Sequence, residues 1–398
     1  MRIYLDYNAG APLRPEVRSA IARFAEADDA GNPAAVHRSG QRARRALEQA
    51  RERVARLIGA AAHEIVFTGG GTESNNLAIR GAAEASAARR RIVTSVIEHS
   101  SVLAPLEYLT ARGFEVIRLA PDRGGRIAPA AVEAALDSDT ALVSLGLANA
   151  EVGTIQDVAA MGPPIARAGA IFHLDAAQAA GRIPIRVGDL RCDLLTISGH
   201  KIGAPAGIGA LYVRSGLALA PLMMGGPQEA GMRAGTPNLL GAIAFGIAAE
   251  AAGAHRDEES ARVARLAELM LARLDASIPG LRLNGASDHK LGNTLNLTFP
   301  EVLGESMLIA LDLEGVEVSM GSACAAGAVE PSHVLLAMGL GRDEARSSLR
   351  LSIGWSTTAD EIDRAAEIIA RVWRRVRAAE PLASAVSTRP NAATEAMR

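Results

Sequence analysis

The chain has 398 residues, 49% hydrophobic and 22% charged, and its 42 lysines and arginines nearly balance 44 aspartates and glutamates for a net charge of −2. That length suits a large domain with a sizeable core plus a smaller one, and the balance lends no support to a nucleic-acid or membrane-surface partner. The two cysteines, Cys192 and Cys324, lack the spacing of a zinc site or dithiol pair and fit a reducing cytoplasm. The opening Met1-Arg2-Ile3-Tyr4-Leu5-Asp6 shows no signal-peptide progression, and the longest apolar stretch, 239–249, ends at Glu250, short of the ~18 to 20 residues of a membrane span.

Candidate strands follow in chain order at 64–68, 91–97, 140–147, 170–174, 194–197 and 208–213, each a β-branched run, with Ala-rich stretches of helical period between them. This alternation predicts βα units and a mainly parallel sheet. A charged helix over 254–276, with Val263, Leu266, Leu269, Met270 and Leu274 at helical spacing, reads as the connection to a second domain. There, strands are expected at 292–299, 316–319 and 349–353, and a helix from 359 to about 378. Residues 380–398, rich in Ala, Ser, Thr, Pro and Asn, have little to bury and read as a disordered tail.

Ligands of open α/β sheets sit beyond the C-terminal strand ends, so the residues following each strand carry the functional signal. The first strand runs into Gly69-Gly70-Gly71-Thr72, a turn that suits a phosphate cradle or simply a tight reversal. After the second comes Glu98-His99, and after the fourth Asp175 with Gln178 three residues on; the imidazole reads as structural or functional, the aspartate as a helix cap or a ligand. The fifth ends in Ser198-Gly199-His200-Lys201, and a lysine at the end of an apolar strand is awkward to bury without a function. Together these residues supply what pyridoxal 5'-phosphate (PLP) requires: a lysine for its aldehyde, an acid for its ring nitrogen and donors for its phosphate. Cys324 lies among small residues, in Met320-Gly321-Ser322-Ala323-Cys324-Ala325-Ala326-Gly327, and reads as part of a mobile loop, whereas Cys192, before an apolar strand, reads as a buried small hydrophobe.

The ordered segments Tyr4–Asn8, Gly31–His37, Phe67–Asn76, Glu98-His99, Glu151–Gly153, His173–Gln178, Ser198–Lys201, Arg233–Thr236, Gly321–Cys324 and Ser347–Arg350 resemble the cysteine desulfurases of the nitrogen-fixation and iron-sulfur-cluster type, within the class V aminotransferase family. The resemblance implies PLP fold type I, an α/β architecture with a mainly parallel, seven-stranded sheet in a large domain over 15–255 and a smaller α+β domain from 1–14 and 256–379. It implies that Lys201 carries the cofactor, Asp175 faces its ring nitrogen, Gln178 its ring hydroxyl and His99 its ring face, with Asn149 also on the cofactor. Gly71, Thr72, Ser198 and His200 would hold the phosphate, with Thr236 donated by the other subunit of a homodimer. Arg350 would pair with the substrate carboxylate, and Asn32 is expected on the substrate. Leu349, Leu351 and Ile353 alternate with Arg350, so strand geometry sends the guanidinium to the opposite face. No metal is implied.

The implied reaction converts L-cysteine to L-alanine, the Cys324 thiolate receiving sulfur as a persulfide and its proton passing to His99 or to the substrate. A sulfur-acceptor protein would then take the sulfur. Where the family has a second asparagine after Asn149 this chain has Ala150, which removes a side-chain contact to the ring hydroxyl. Selenocysteine lyase and other class V PLP lyases are the neighbouring activities; a non-catalytic sulfur-assembly scaffold is the alternative of another class.

Overall fold

The computed structural model describes residues 2–27, 31–86, 88–321 and 330–379. Strand β1 (Ile3–Tyr4) opens the chain. Seven strands then build one sheet: β2 (Ile65–Thr68), β3 (Arg91–Ser95), β4 (Glu115–Leu119), β5 (Thr140–Gly146), β6 (Ile171–Asp175), β7 (Leu194–Ser198) and β8 (Gly209–Val213), in the spatial order β2-β8-β7-β6-β5-β3-β4. Pairing is parallel from β7 through β4, and β8 runs antiparallel between β2 and β7. The fold is therefore α/β with the mainly parallel sheet expected from the alternation.

Neighbouring strand residues divide between two cores. Val93, Val143, Leu195 and Ala210 join Phe172 and Phe245 in a core on one face. Ile92, Leu142, Leu194 and Leu211 join Leu77, Ile79, Leu106 and Leu109 in a second core, against helices Gly71–Ala85 and Ser100–Thr110. Side chains alternate along a strand, so a sheet covered on both faces demands apolar residues at consecutive positions, which is why these strands read as continuous apolar runs. Strand β4 departs from this: it lies at the sheet edge with Glu115 and Arg118 exposed, and so gave no apolar run in the sequence.

Strands β9 (Arg282–Asn284), β10 (Thr294–Thr298), β11 (Val316–Glu317) and β12 (Ser348–Ser352) follow, with β12-β10-β9 forming an antiparallel sheet and β11 pairing with β1. A third core here gathers Ile3 and Leu5 with Leu295, Leu297, Leu349, Leu351 and the buried face of helix Ala359–Ala379. The expected connecting helix is longer than the 254–276 read from the sequence: one 39-residue helix, Leu239–Ser277, takes in the apolar 239–249 stretch as well. Its first half buries Phe245, Ala248 and Ala252 with the large sheet, and its second half buries Met270 and Leu274 with the small one. No helix among the described residues is long and apolar enough to cross a membrane.

The strand ends depend on two close backbone approaches. Gly70 has φ +148°, and a Cβ placed on Gly209 would stand 2.7 Å from Gly70 Cα and 2.9 Å from the Ile197 carbonyl. No flexible side chain can move aside there, so Gly209→Ala is expected to lower unfolding free energy by about 1–3 kcal/mol, measured by urea denaturation. An unchanged midpoint would mean that β2 and β8 can part without loss.

Candidate active site

The C-terminal ends of β2, β3, β5, β6 and β7 open into a cavity of about 1100 Å³. Of the residues expected from the sequence, Gly71, Thr72, His99, Asn149, Asp175, Gln178, Ser198, His200, Lys201 and Arg350 all line it. Asn32 and Thr236 are exposed outside this lining, Asn32 in a turn where its Oδ1 accepts from Ala34 N at 2.9 Å. Cys324 and the 380–398 tail lie outside the described residues.

Lys201 leaves the single-turn helix Gly199–Lys201 that follows β7. Its Nζ donates to the Asn8 carbonyl at 2.6 Å and the Ala9 carbonyl at 2.9 Å, with no carboxylate partner among the described residues. Burial, and then the charges of Arg182 and Arg350, push this amine down to about 8 from its ordinary 10.5, against the opposing pull of Asp6 and Asp175. On the neighbouring strand, Asp175 Oδ2 accepts from Asn75 Nδ2 at 2.7 Å and Oδ1 from Ala177 N at 2.9 Å, so the aspartate both braces its turn and faces the cavity.

At the rim, helix Gly71–Ala85 starts on the cavity, and the first N–H groups of a helix lack carbonyl partners within it. Gly71 lies against Ser198, to which a Cβ at this position would come within 3.3 Å. Ser198 Oγ is 3.0 Å from His200 Nδ1, and burial, then the Lys201 charge, pushes His200 down to about 4. The rim thus offers amides, two hydroxyls and an uncharged imidazole.

Arg350 is 4% exposed. Its Nη2 donates to Asp6 at 2.7 Å and Nη1 to the Ala150 carbonyl at 3.3 Å, while its buried Nε has no partner among the described residues. The strand alternation is as expected, with Leu349 and Leu351 in the third core. Gln178 donates to the Asn8 carbonyl at 3.0 Å. Asn149 is committed to backbone, donating to Ile97 O and accepting from Glu151 N and Val152 N. Cys192 is buried, and burial pushes its thiol up to about 12.

Several groups in the cavity or beside its lining residues escaped the sequence reading. Asp6 and Asn8 bring the N-terminal segment between the two sheets, where Asn8 also bonds Thr294, Asn293 and the Ala150 carbonyl. Polar positions 6 and 8 in an otherwise apolar opening were the available signal. His173, two residues before Asp175, is fully buried between Ser144 Oγ and Thr196 Oγ1, and burial lowers it to about 4. His333 lines the cavity with Nε2 on the Glu98 carbonyl. Glu151 accepts from Ser332, and a Cβ on Gly321 would meet its carboxyl at 2.6 Å. Only tertiary packing collects these groups.

These strand ends, with a lysine whose amine is partly uncharged, an aspartate opposite and an anion cradle at a helix start, define a PLP protein of fold type I; the glycine cradle and the donor set fit the cofactor. The chain belongs to the class V aminotransferase family, whose pattern it matches over residues 3–365. It is 42% identical over 380 residues to the cysteine desulfurase IscS of Dictyoglomus turgidum, covering 95% of this chain and 96% of that one. Among solved structures it is similar to a NifS-like protein (33% identity, TM-score 0.88, 94% of this chain and 100% of the other). It is also similar to SspA in complex with cysteine (36%, TM-score 0.79, 89% and 99%).

Glu98 yields a test of the site's electrostatics. Burial pushes its carboxyl up to about 8, the neighbouring Asp175 charge adding to the rise while the Ser95 hydroxyl opposes it. Above its unfolded value of 4.5 the folded state therefore binds more protons than the unfolded one, so stability falls as pH rises toward about 8. Thermal midpoints across that window should drop less steeply in Glu98→Gln, which mimics the neutral acid; equal slopes would remove Glu98 from the account.

Proposed function

We propose that the protein is a PLP-dependent cysteine desulfurase that converts L-cysteine to L-alanine and hands the sulfur to Cys324 for iron-sulfur-cluster or other thio-cofactor assembly. The observation that carries this reading is the depressed Lys201 amine facing Asp175 in a cavity that also holds Arg350. Cytoplasmic location, a sulfur-acceptor protein and a homodimer, with Thr236 reaching the other copy's cavity, belong to the same proposal.

Lys201 would carry the cofactor, Asp175 would meet its ring nitrogen, and Gly71, Thr72, Ser198 and His200 would take its phosphate. When bound, PLP withdraws electrons from the substrate's α-carbon and so loosens the bonds there. Gln178 and Asn149 would stand beside its ring, and His99 on its face. Arg350, with an unused Nε donor, would bind the substrate carboxylate at the side of the cavity nearest Ala150 and Asp6. Lys201, its amine lowered to about 8, would accept and return a proton at the substrate's α-carbon. Cys324 follows Gly321, which lines the cavity, by three residues. Its thiolate would bond to the substrate sulfur as the Cβ–S bond breaks; the electron pair stays with carbon, a proton completes alanine, and the enzyme keeps a persulfide. Asn32, exposed and outside the cavity lining, belongs to the substrate set by the resemblance alone.

An amine titrating near 8 is roughly one-tenth uncharged at pH 7, against well under about one-thousandth at 10.5. Protein stripped of PLP should therefore recapture it at a rate that rises with pH and levels off above about 8, and Lys201→Ala should abolish both the cofactor absorbance and alanine production. A flat rate across that window, or turnover by the variant near the parental rate, would remove the central assignment.

Cys324→Ala should retain PLP and still change its absorbance on adding L-cysteine, yet carry no persulfide. Cys192→Ala should behave as the parent, since its buried thiol resists ionisation. Mass spectrometry after a single turnover should place the added sulfur on the Cys324 peptide; sulfur on the Cys192 peptide would make the nucleophile assignment wrong.

A further inference from the structure

Asn75 is buried within the first turns of helix Gly71–Ala85. Its amide nitrogen donates to Asp175 Oδ2 at 2.7 Å and to Ser101 Oγ at 2.8 Å. A carboxylate only accepts, so the amide must present its nitrogen there; reversed, it would set oxygen against oxygen. Both N–H groups are thereby committed, and Oδ1 is left buried with no partner among the described residues. That orphaned acceptor indicates that the donors are what this position supplies.

Having accepted from Asn75, Ser101 Oγ turns its own hydrogen to His99 Nδ1 at 2.7 Å. The Ser101 backbone N–H points at the same nitrogen, at 3.1 Å. A backbone N–H can only donate, so the single in-plane lone pair of Nδ1 carries no proton, and the neutral ring holds its hydrogen on Nε2. His99 is the N-cap of helix Ser100–Thr110, where the positive end of the helix disfavours an added charge on the ring. Burial lowers His99 as well; Lys201 and His333 push in the same direction, and Asp175 opposes. Nε2 has no partner among the described residues, and the ring lines the cavity.

We propose that Asn75 is a positioning residue that, through Ser101, ties Asp175 to His99 and fixes His99 as a neutral imidazole with its hydrogen on Nε2. His99 then meets its ligand as a hydrogen-bond donor and not as the base that accepts a thiol proton, which departs from the sequence-based expectation for the Cys324 proton. The nitrogen with the basic lone pair is turned to the protein and doubly occupied; the nitrogen left for the ligand already carries its proton. A neutral donor imidazole at a helix N-terminus is a known way of polarising a ligand atom without a charged acid. The inference deepens the desulfurase reading and takes from it only the identity of the ligand.

The test is NMR of the imidazole nitrogens in 15N-histidine-labelled holoprotein, with His99→Gln assigning the signal. The expected result at neutral pH is one form, unprotonated at Nδ1 and protonated at Nε2. Ser101→Ala keeps only the longer backbone contact, and Asn75→Ala frees the Ser101 hydroxyl to turn away; each should shift the Nδ1 resonance, while the backbone N–H that remains keeps the hydrogen on Nε2. In each, kcat should fall about five- to tenfold with KM moving less, and Ser101→Thr should restore both readouts. A proton on Nδ1 or a charged ring in the parental protein overturns the proposal, as does an unaltered His99 spectrum in both variants. Ser101→Ala leaves Asn75 in place, so the relay is tested even if Asn75→Ala does not fold. PLP absorbance and alanine formation in the same samples report separately on the function: their absence from the parent would sink the desulfurase reading and leave the imidazole result standing.

Discussion

Lys201 keeps its amine in a crevice where burial and two guanidinium groups oppose a charge, and much of the surrounding structure serves to keep that amine both desolvated and satisfied. A buried ammonium without hydrogen bonds would be prohibitive. The partners supplied are the Asn8 and Ala9 carbonyls, acceptors that satisfy the amine without the full charge of an ion pair. They come from the N-terminal segment, which can stand there because Ile3 and Leu5 are buried in the C-terminal core while Asn8 bonds across to Asn293, Thr294 and Ala150. One short stretch therefore carries packing for one sheet and acceptors for the end of the other.

The same burial sorts the remaining titratable groups. His173 and His200 are held down near 4 and Glu98 is raised to about 8, so at neutral pH all three are uncharged despite their polarity. Lys201, Asp175 and Arg350 share the cavity, and Asp6 pairs with Arg350. Arg350 shows the balance: Asp6 and a backbone carbonyl satisfy part of the guanidinium, and Nε is held in reserve. Removing Asp6 would leave that cation deeply buried with less compensation, a larger disturbance than its surface counterparts such as Arg167–Glu133 would feel.

The resemblance to cysteine desulfurases and the geometry reach the same site by different routes. Family likeness assigns roles residue by residue, whereas the structure shows which residues share a crevice. At His99 they bear on one question: likeness makes it a candidate for the thiol proton, and as a helix cap it gives Nδ1 to the Ser101 N–H. A residue can retain its place in a motif while its hydrogen-bond partners decide what it can do there.

Much of the fold was legible in the sequence, because a parallel sheet covered on both faces needs consecutive apolar residues, and six of its strands announced themselves as such runs bounded by turns. Their ends exposed Gly69–Gly71, His99, Asp175 and Lys201, so the principal chemistry could be read from one line of residues. Strand β4 could not, since an edge strand half open to solvent has no need of an apolar run. The sequence also broke the helix Leu239–Ser277 into an apolar stretch and a charged one, because its two halves pack in different cores and share no single buried face. What only the tertiary structure decided was company: that Asp6 meets Arg350, that the Asn8 carbonyl meets Lys201, and that Asn75 stands between Asp175 and Ser101. These partners are separated by 344, 193 and 100 residues in the first two pairs and in Asn75–Asp175. Local periodicity reports which face of an element is buried, and it carries no information about what that face is buried against.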